Sequence, residues 1–196
     1  MEGELLAACR GLLQRGLPGV VPRELDDEHR FIPLGVDING DVAATVFIRR
    51  LTRGVMAGRP GLEKSVFQRR DGTWVYLGGG AGPFEEYPLA ERVPAAGPGG
   101  YLRAIGYGQA YLKEPRRFSW GARYAFHALL RASAEVHRLQ AGDRVLDVPF
   151  HGHAVLAWPG RRGQAVIALA SDGSQRASMD LRRDPFEAGQ RRLPVG

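Results

Sequence analysis

The dipeptide Asp71-Gly72 constrains this chain more than any other feature. It stands between two runs that favour extended backbone, Ser65 to Arg70 and Thr73 to Leu77. Both turn residues tolerate positive φ, as a two-residue hairpin turn demands, and the twist of such a turn matches the strands it joins. A tight hairpin with a set register follows: Arg70 opposes Thr73, Arg69 opposes Trp74, Gln68 opposes Val75 and Phe67 opposes Tyr76. The same kind of signal recurs at Asn39-Gly40, between candidate strands at 31–39 and 42–50, and at Asp172-Gly173. With 27 Gly and 13 Pro in 196 residues, turns leave little room for long helices. Frequent turns between short apolar runs predict a mainly β fold, an antiparallel β-sandwich-like domain.

One segment reads otherwise. Leu5, Leu6, Cys9, Leu12 and Leu13 form a stripe at the helical period, so residues 4–15 are expected to be an amphipathic N-terminal helix packed on the sheet. Gly16 and Pro18 end it. Gly78-Gly79-Gly80-Ala81-Gly82 is not followed by the Gly-Lys-Ser/Thr and helix that a phosphate loop requires, and reads as a flexible loop. Residues 88–100 are a Pro/Gly-rich, mobile loop. Between 101 and 131 periodicity does not decide: Tyr124, Phe126, Ala128 and Leu130 alternate as in a strand, while Trp120, Tyr124, His127 and Leu130 also align helically. Four strands follow, at 136–139, 144–158, 165–170 and 175–181, read as an antiparallel meander. Residues 1–181 make a single β-rich domain on this reading, and 182–196 a mobile C-terminal tail.

The formal charge of +6 raises the question of nucleic acid. Lys64 and Lys113 are the only lysines, and the arginines are scattered in doublets with no basic block. That is the pattern of a solvated arginine-rich surface. Arg116, Arg117, Phe118 and Trp120 interleave cations with aromatics, and are the nearest approach to an RNA- or DNA-binding or anion-binding stripe. With Cys9 alone, no internal disulfide and no cysteine-ligated zinc centre exists. No apolar run is long enough to span a bilayer, and the acidic N-terminus lacks a signal-peptide pattern, so a soluble, cytoplasmic protein without a membrane partner is expected.

Two constellations stand out as candidate sites. The register of the 65–77 hairpin puts Phe67, Arg69, Trp74 and Tyr76 on one face, with the Arg69 cation over the Trp74 indole. This is either a ligand platform or, the preferred reading, half of a sandwich core. In the 144–158 run, Leu146, Val148, Phe150, Ala154, Leu156 and Trp158 share the core parity. Asp147, His151 and His153 share the other and are expected to face outward. Two histidines at i and i+2 on one strand face sit close enough to chelate a divalent metal, and a metal enzyme would need a further ligand from His29, His127 or His137. Exposed histidines without a ligand are the preferred reading, and no cofactor is required. Gly-x-Ser-x-Gly is absent, no nucleophile sits in a recognisable context, and no catalytic residue is assigned.

The text Val148-Pro149, His151-Gly152, Val155, Trp158 and Asp172-Gly173 resembles the C-terminal strands of uncharacterised actinobacterial β-sandwich proteins described as extracytoplasmic sensors or sigma-factor regulators. The likeness runs over about residues 136–181. It implies a fold of that kind and carries no catalytic residue. This chain lacks the membrane segment those proteins usually carry. The function expected from the sequence is a non-enzymatic protein-binding or regulatory module, contacting another protein through an exposed sheet face or loops 78–100. A metal-dependent enzyme built on His151 and His153 is the alternative, and nucleic-acid binding through Arg116–Trp120 the third. The oligomeric state is left open.

Overall fold

The structure is a computed structural model that describes residues 2–52, 54–97, 100–113, 123–160 and 163–181. It is mainly β, with three antiparallel sheets and one N-terminal helix, α1 (Glu2–Arg15). The first sheet holds β1 (Ile32–Asn39), β2 (Val42–Arg50), β3 (Pro60–Arg70) and β4 (Thr73–Pro83) in chain order. The second has the order β5 (Leu102–Lys113), β6 (Arg123–Ala132), β9 (His153–Pro159). The third has the order β11 (Gln175–Leu181), β10 (Gln164–Leu169), β7 (Arg138–Ala141), β8 (Arg144–Asp147). No described helix is long and apolar enough to cross a membrane.

The layers follow from which residues are apolar on both faces. In β2, Val42, Ala44, Val46 and Ile48 join a core shared with Ala125, Leu129, Val155 and Ala157 of the second sheet. The alternate residues Ala43 and Phe47 pack with Phe67 against Leu5, Cys9, Leu12 and Leu13 of α1. The even residues Phe126, Ala128, Leu130, Leu156 and Trp158 of the second sheet face the third, meeting Leu139, Val166, Ala168 and Leu181. The order of layers is therefore helix, first sheet, second sheet, third sheet. A strand buried on both faces loses its polar alternation, which is why β2, β6 and β9 read as near-continuous apolar runs.

The local turn chemistry acts as the sequence requires. Asp71 and Gly72 both have positive φ, 49° and 77°, and the pairs Arg70–Thr73, Arg69–Trp74, Gln68–Val75 and Phe67–Tyr76 form. Gly16 caps α1 in the left-handed conformation (φ 75°), its N–H donating to the Leu12 carbonyl at 2.8 Å. The first hairpin turns at Gly40-Asp41, because Asn39 pairs with Val42.

Four further expectations are corrected, and one stretch left open is resolved. Residues 78–82 are not a loop: they continue β4, a bulge at Leu77 letting Gly78 pair with Val66 and Gly80 with Lys64. The described parts of the 101–131 stretch are strands β5 and β6, which the periodicity left undecided. The run 144–158 is two strands in different sheets, divided by a turn in which Gly152 takes φ 72°. The meander is accordingly broken, for β7 pairs with β10, and β9 pairs with β6. The 88–100 loop is held down where it is described. Its Leu89 is buried, the Leu89 N–H donates to Arg23, and the Arg92 N–H donates to Phe150. The 182–196 segment lies outside the described residues.

Candidate ligand-binding groove

The first and second sheets close on one side and part on the other. At the closed side, Gly35 of β1 meets β9 so tightly that a Cβ there would lie 3.2 Å from the Val155 nitrogen. The Asp37 carboxylate accepts the Ala157 N–H at 2.7 Å, and the Asn39 amide donates to the Ala157 carbonyl at 3.2 Å. Arg144 of β8 ion-pairs with Asp37 and donates to the same carbonyl at 3.3 Å. Asp37 and Arg144 thus tie all three sheets together and cap the outer edge of β9.

At the open side, β3 and β4 face β5 and β6 across a groove of about 1260 Å³. It exists because glycines line both walls: Gly78, Gly79 and Gly80 from β4, and Gly108 from β5. A Cβ at Gly108 would overlap the imidazole of His127, which crosses the β5 backbone at that point. Lys64 reaches in from β3, its Nζ 3.5 Å from where a Gly106 Cβ would stand. Among the described residues Lys64 has no carboxylate within ion-pair distance. His127 is 6% exposed and its buried Nδ1 has no hydrogen-bond partner among the described residues. Burial, with Lys64 adding to it, pushes the His127 pKa down to about 4, so the ring is neutral at pH 7. At the mouth, Arg70 donates to Gln68 Oε1 at 2.9 Å and across to the Leu112 carbonyl of β5 at 3.3 Å. Among the described residues Lys64, Arg70 and Arg123 line the groove against a single carboxylate, Asp41, so their balance is cationic.

The sequence-predicted histidines lie elsewhere, and their expected exposure is wrong. His151 and His153 are 0% and 1% exposed. His151 sits in the 149–152 turn and His153 opens β9, so they do not share a strand face. Their ring centroids are 5.5 Å apart, and Phe84 packs edge-on to His153 at 5.3 Å. The His153 N–H donates to His151 Nδ1 at 3.1 Å, which puts the proton of that neutral ring on Nε2 and leaves it no lone pair for a metal. Burial pushes both rings down to about 3, with Arg131 adding to the shift in each and Arg92 in His151. Arg131 donates to Glu86 at 2.7 Å and to the His151 carbonyl at 2.6 Å, while Glu86 stands 3.6 Å from His153 Nε2. Among the described residues no group of three or more His, Cys, Asp or Glu is placed to hold a metal ion.

Of the hairpin face only Phe67 is fully buried, packed beneath α1 and not against the second sheet, while Arg69 and Tyr76 are exposed. Arg69 lies 4.5 Å from the Trp74 ring centroid and Phe67 lies 5.7 Å from Tyr76. Only Tyr76 reaches the groove from that constellation. Arg116, Arg117, Phe118 and Trp120 lie outside the described residues. Sequence reasoning passed over Lys64 and took His127 only as a possible extra ligand. The available signals were a lysine in an arginine-rich chain and the alternation of Gly106 and Gly108 opposite a histidine in an apolar strand.

No protein family, no curated protein and no solved structure matches this chain.

Proposed function

We propose that this protein is a non-enzymatic binding module that holds an anionic, carboxylate-bearing ligand in the groove between its first two sheets. The observation that carries this reading is the combination, among the described residues, of Lys64 without a counter-ion and the unpartnered buried Nδ1 of His127, on a floor cleared by glycine. A buried polar atom without a partner costs stability, and such an orphan at a concave site is accounted for by a ligand that pairs with it. Lys64 supplies charge, while a histidine neutral at pH 7 supplies a hydrogen bond and is a feeble base. That division suits recognition better than proton transfer.

The test is a thermal-shift and titration series with decaglutamate and citrate against neutral decaglutamine, at low and high salt. The acidic probes are expected to raise the midpoint of the wild-type chain, because preferential binding to the folded form does so. High salt weakens the effect and Lys64→Met removes it. A midpoint unmoved by either acid, or moved equally in Lys64→Met, would sink the reading.

A further inference from the structure

The edges of the three sheets are not treated alike. β9 has its outward backbone groups at Ala157 met by Asp37, Asn39 and Arg144. β1 carries Pro33 and Asp37, β5 Arg103, β8 Arg144 and Asp147, and β11 Arg176 and Asp180. Prolines and charges on an edge are the usual protection against pairing with another chain. β4 is eleven residues long, pairs among the described strands only with β3, and bears no charge or internal proline before Pro83. Apart from the bulge at Leu77 it is the barest edge among the described strands, and it forms one wall of the groove.

Its glycines divide into two kinds. Gly78 has φ 146°, and a Cβ at Gly79 would overlap the Lys64 carbonyl, so the fold itself needs both. Gly80 and Gly82 have no such need: their φ is ordinary, and a Cβ on either would meet nothing within 4 Å. Glycine weakens a strand, and where the fold does not require it, it commonly marks close approach by another backbone.

We propose that the occupant of the groove is an extended acidic segment of a partner polypeptide, added as a fifth strand to the free edge of β4. This rests on the anionic-ligand reading above and names its ligand. Main-chain hydrogen bonds to β4 supply affinity, and Lys64, Arg70 and Arg123 select acidic side chains. A second copy of this chain is the poorer fit, because a symmetric β4 contact would bring these cations against their own counterparts. The groove, at about 1260 Å³, is also larger than a single small metabolite fills.

The probe is the capped heptapeptide Thr-Glu-Val-Glu-Val-Glu-Thr, its three carboxylates on one strand face, with two derivatives N-methylated on alternate sets of residues. A strand offers only one set of amides to a given edge. One derivative is therefore expected to bind the full chain at least about tenfold more weakly than the parent, and the other to bind as the parent does. Gly80→Val, whose Cβ has nothing within 4 Å, should keep the thermal midpoint and lose parent binding by a similar factor. If that variant loses stability, the N-methylated pair decides alone. Equal binding of both derivatives, still abolished by Lys64→Met, overturns strand addition and leaves the anionic groove standing. Parent binding that is absent, or indifferent to Lys64→Met, overturns the proposal; when citrate and decaglutamate are also indifferent, the reading beneath it falls too. A concentration-dependent dimer broken by Gly80→Val assigns the edge to a second copy and overturns the partner strand.

Discussion

Three buried histidines make this protein acid-labile by an amount the structure sets. His127 has its pKa pushed down to about 4, and His151 and His153 to about 3, each from the ordinary 6.5 and each chiefly by burial. Acidification below 6.5 protonates these rings only in the unfolded chain until the folded values are reached. The unfolded state then binds more protons, and stability falls as pH falls from 6.5 toward 3. At pH 5 the loss depends only on the unfolded pKa, and is about 2 kcal/mol per ring, about 6 kcal/mol for the three. A domain of this size is stable by about 5–15 kcal/mol in all, so acid unfolding near pH 5 is expected while most carboxylates are still charged. Urea denaturation followed by tryptophan fluorescence at pH 7.5 and pH 5.0 measures it. His151→Asn and His153→Gln should each reduce the pH dependence by about 2 kcal/mol whatever they do to stability at pH 7.5. This difference cancels Asp37, whose burial raises its pKa and acts in the opposite sense. Stability unchanged within about 1 kcal/mol between the two pH values would refute the neutral, desolvated state of the rings.

Other changes act on separate parts of the fold. Asp37→Ala leaves Arg144 half-buried without its partner and uncaps the Ala157 N–H, and should cost about 3–5 kcal/mol in a denaturant titration. Gly108→Ala drives a methyl into the His127 ring; a loss of about 1–3 kcal/mol is expected, with acidic-ligand binding lost at the same time. Burial raises the pKa of the Cys9 thiol, which donates nothing to solvent and sits under α1, so a disulfide reagent should label it only as fast as the helix opens. Fast stoichiometric labelling of the native chain would contradict that packing.

What could be read in the sequence depended on whether the cause was local. The Asp71-Gly72 register, the Gly16 cap and the α1 stripe are set within a few residues, and all are legible. The His151–His153 face was not, because strict alternation across 144–158 assumes one strand in one sheet. The Pro149–Gly152 turn moves the chain from the third sheet to the second and buries both rings. Gly78 to Gly82 was misread for a related reason: glycine lowers strand propensity, and pairing with Leu62 to Val66 of β3 holds it extended. The groove is the least legible feature, since Lys64 and His127 meet through a contact between sheets that no local pattern encodes.

The position of His127 shows how the groove and the layering depend on each other. β6 is the middle strand of the middle sheet, and its odd residues run Ala125, His127, Leu129, Arg131 toward the first sheet. Ala125 and Leu129 enter the shared core, and Arg131 is consumed by Glu86 and the His151 carbonyl. His127 alone falls where the first two sheets have parted and both walls are glycine. On the closed side, the polar groups of β9 are answered by Asp37, Asn39 and Arg144 from within the molecule. On the open side the corresponding answer to His127 Nδ1 and Lys64 is missing among the described residues, beside β4, an edge strand with neither a charge of its own nor, among the described residues, a side-chain cap. Polar groups satisfied on one side and left unanswered on the other, within the same pair of sheets, are the ground on which the binding surface is proposed at the β4–β5 seam.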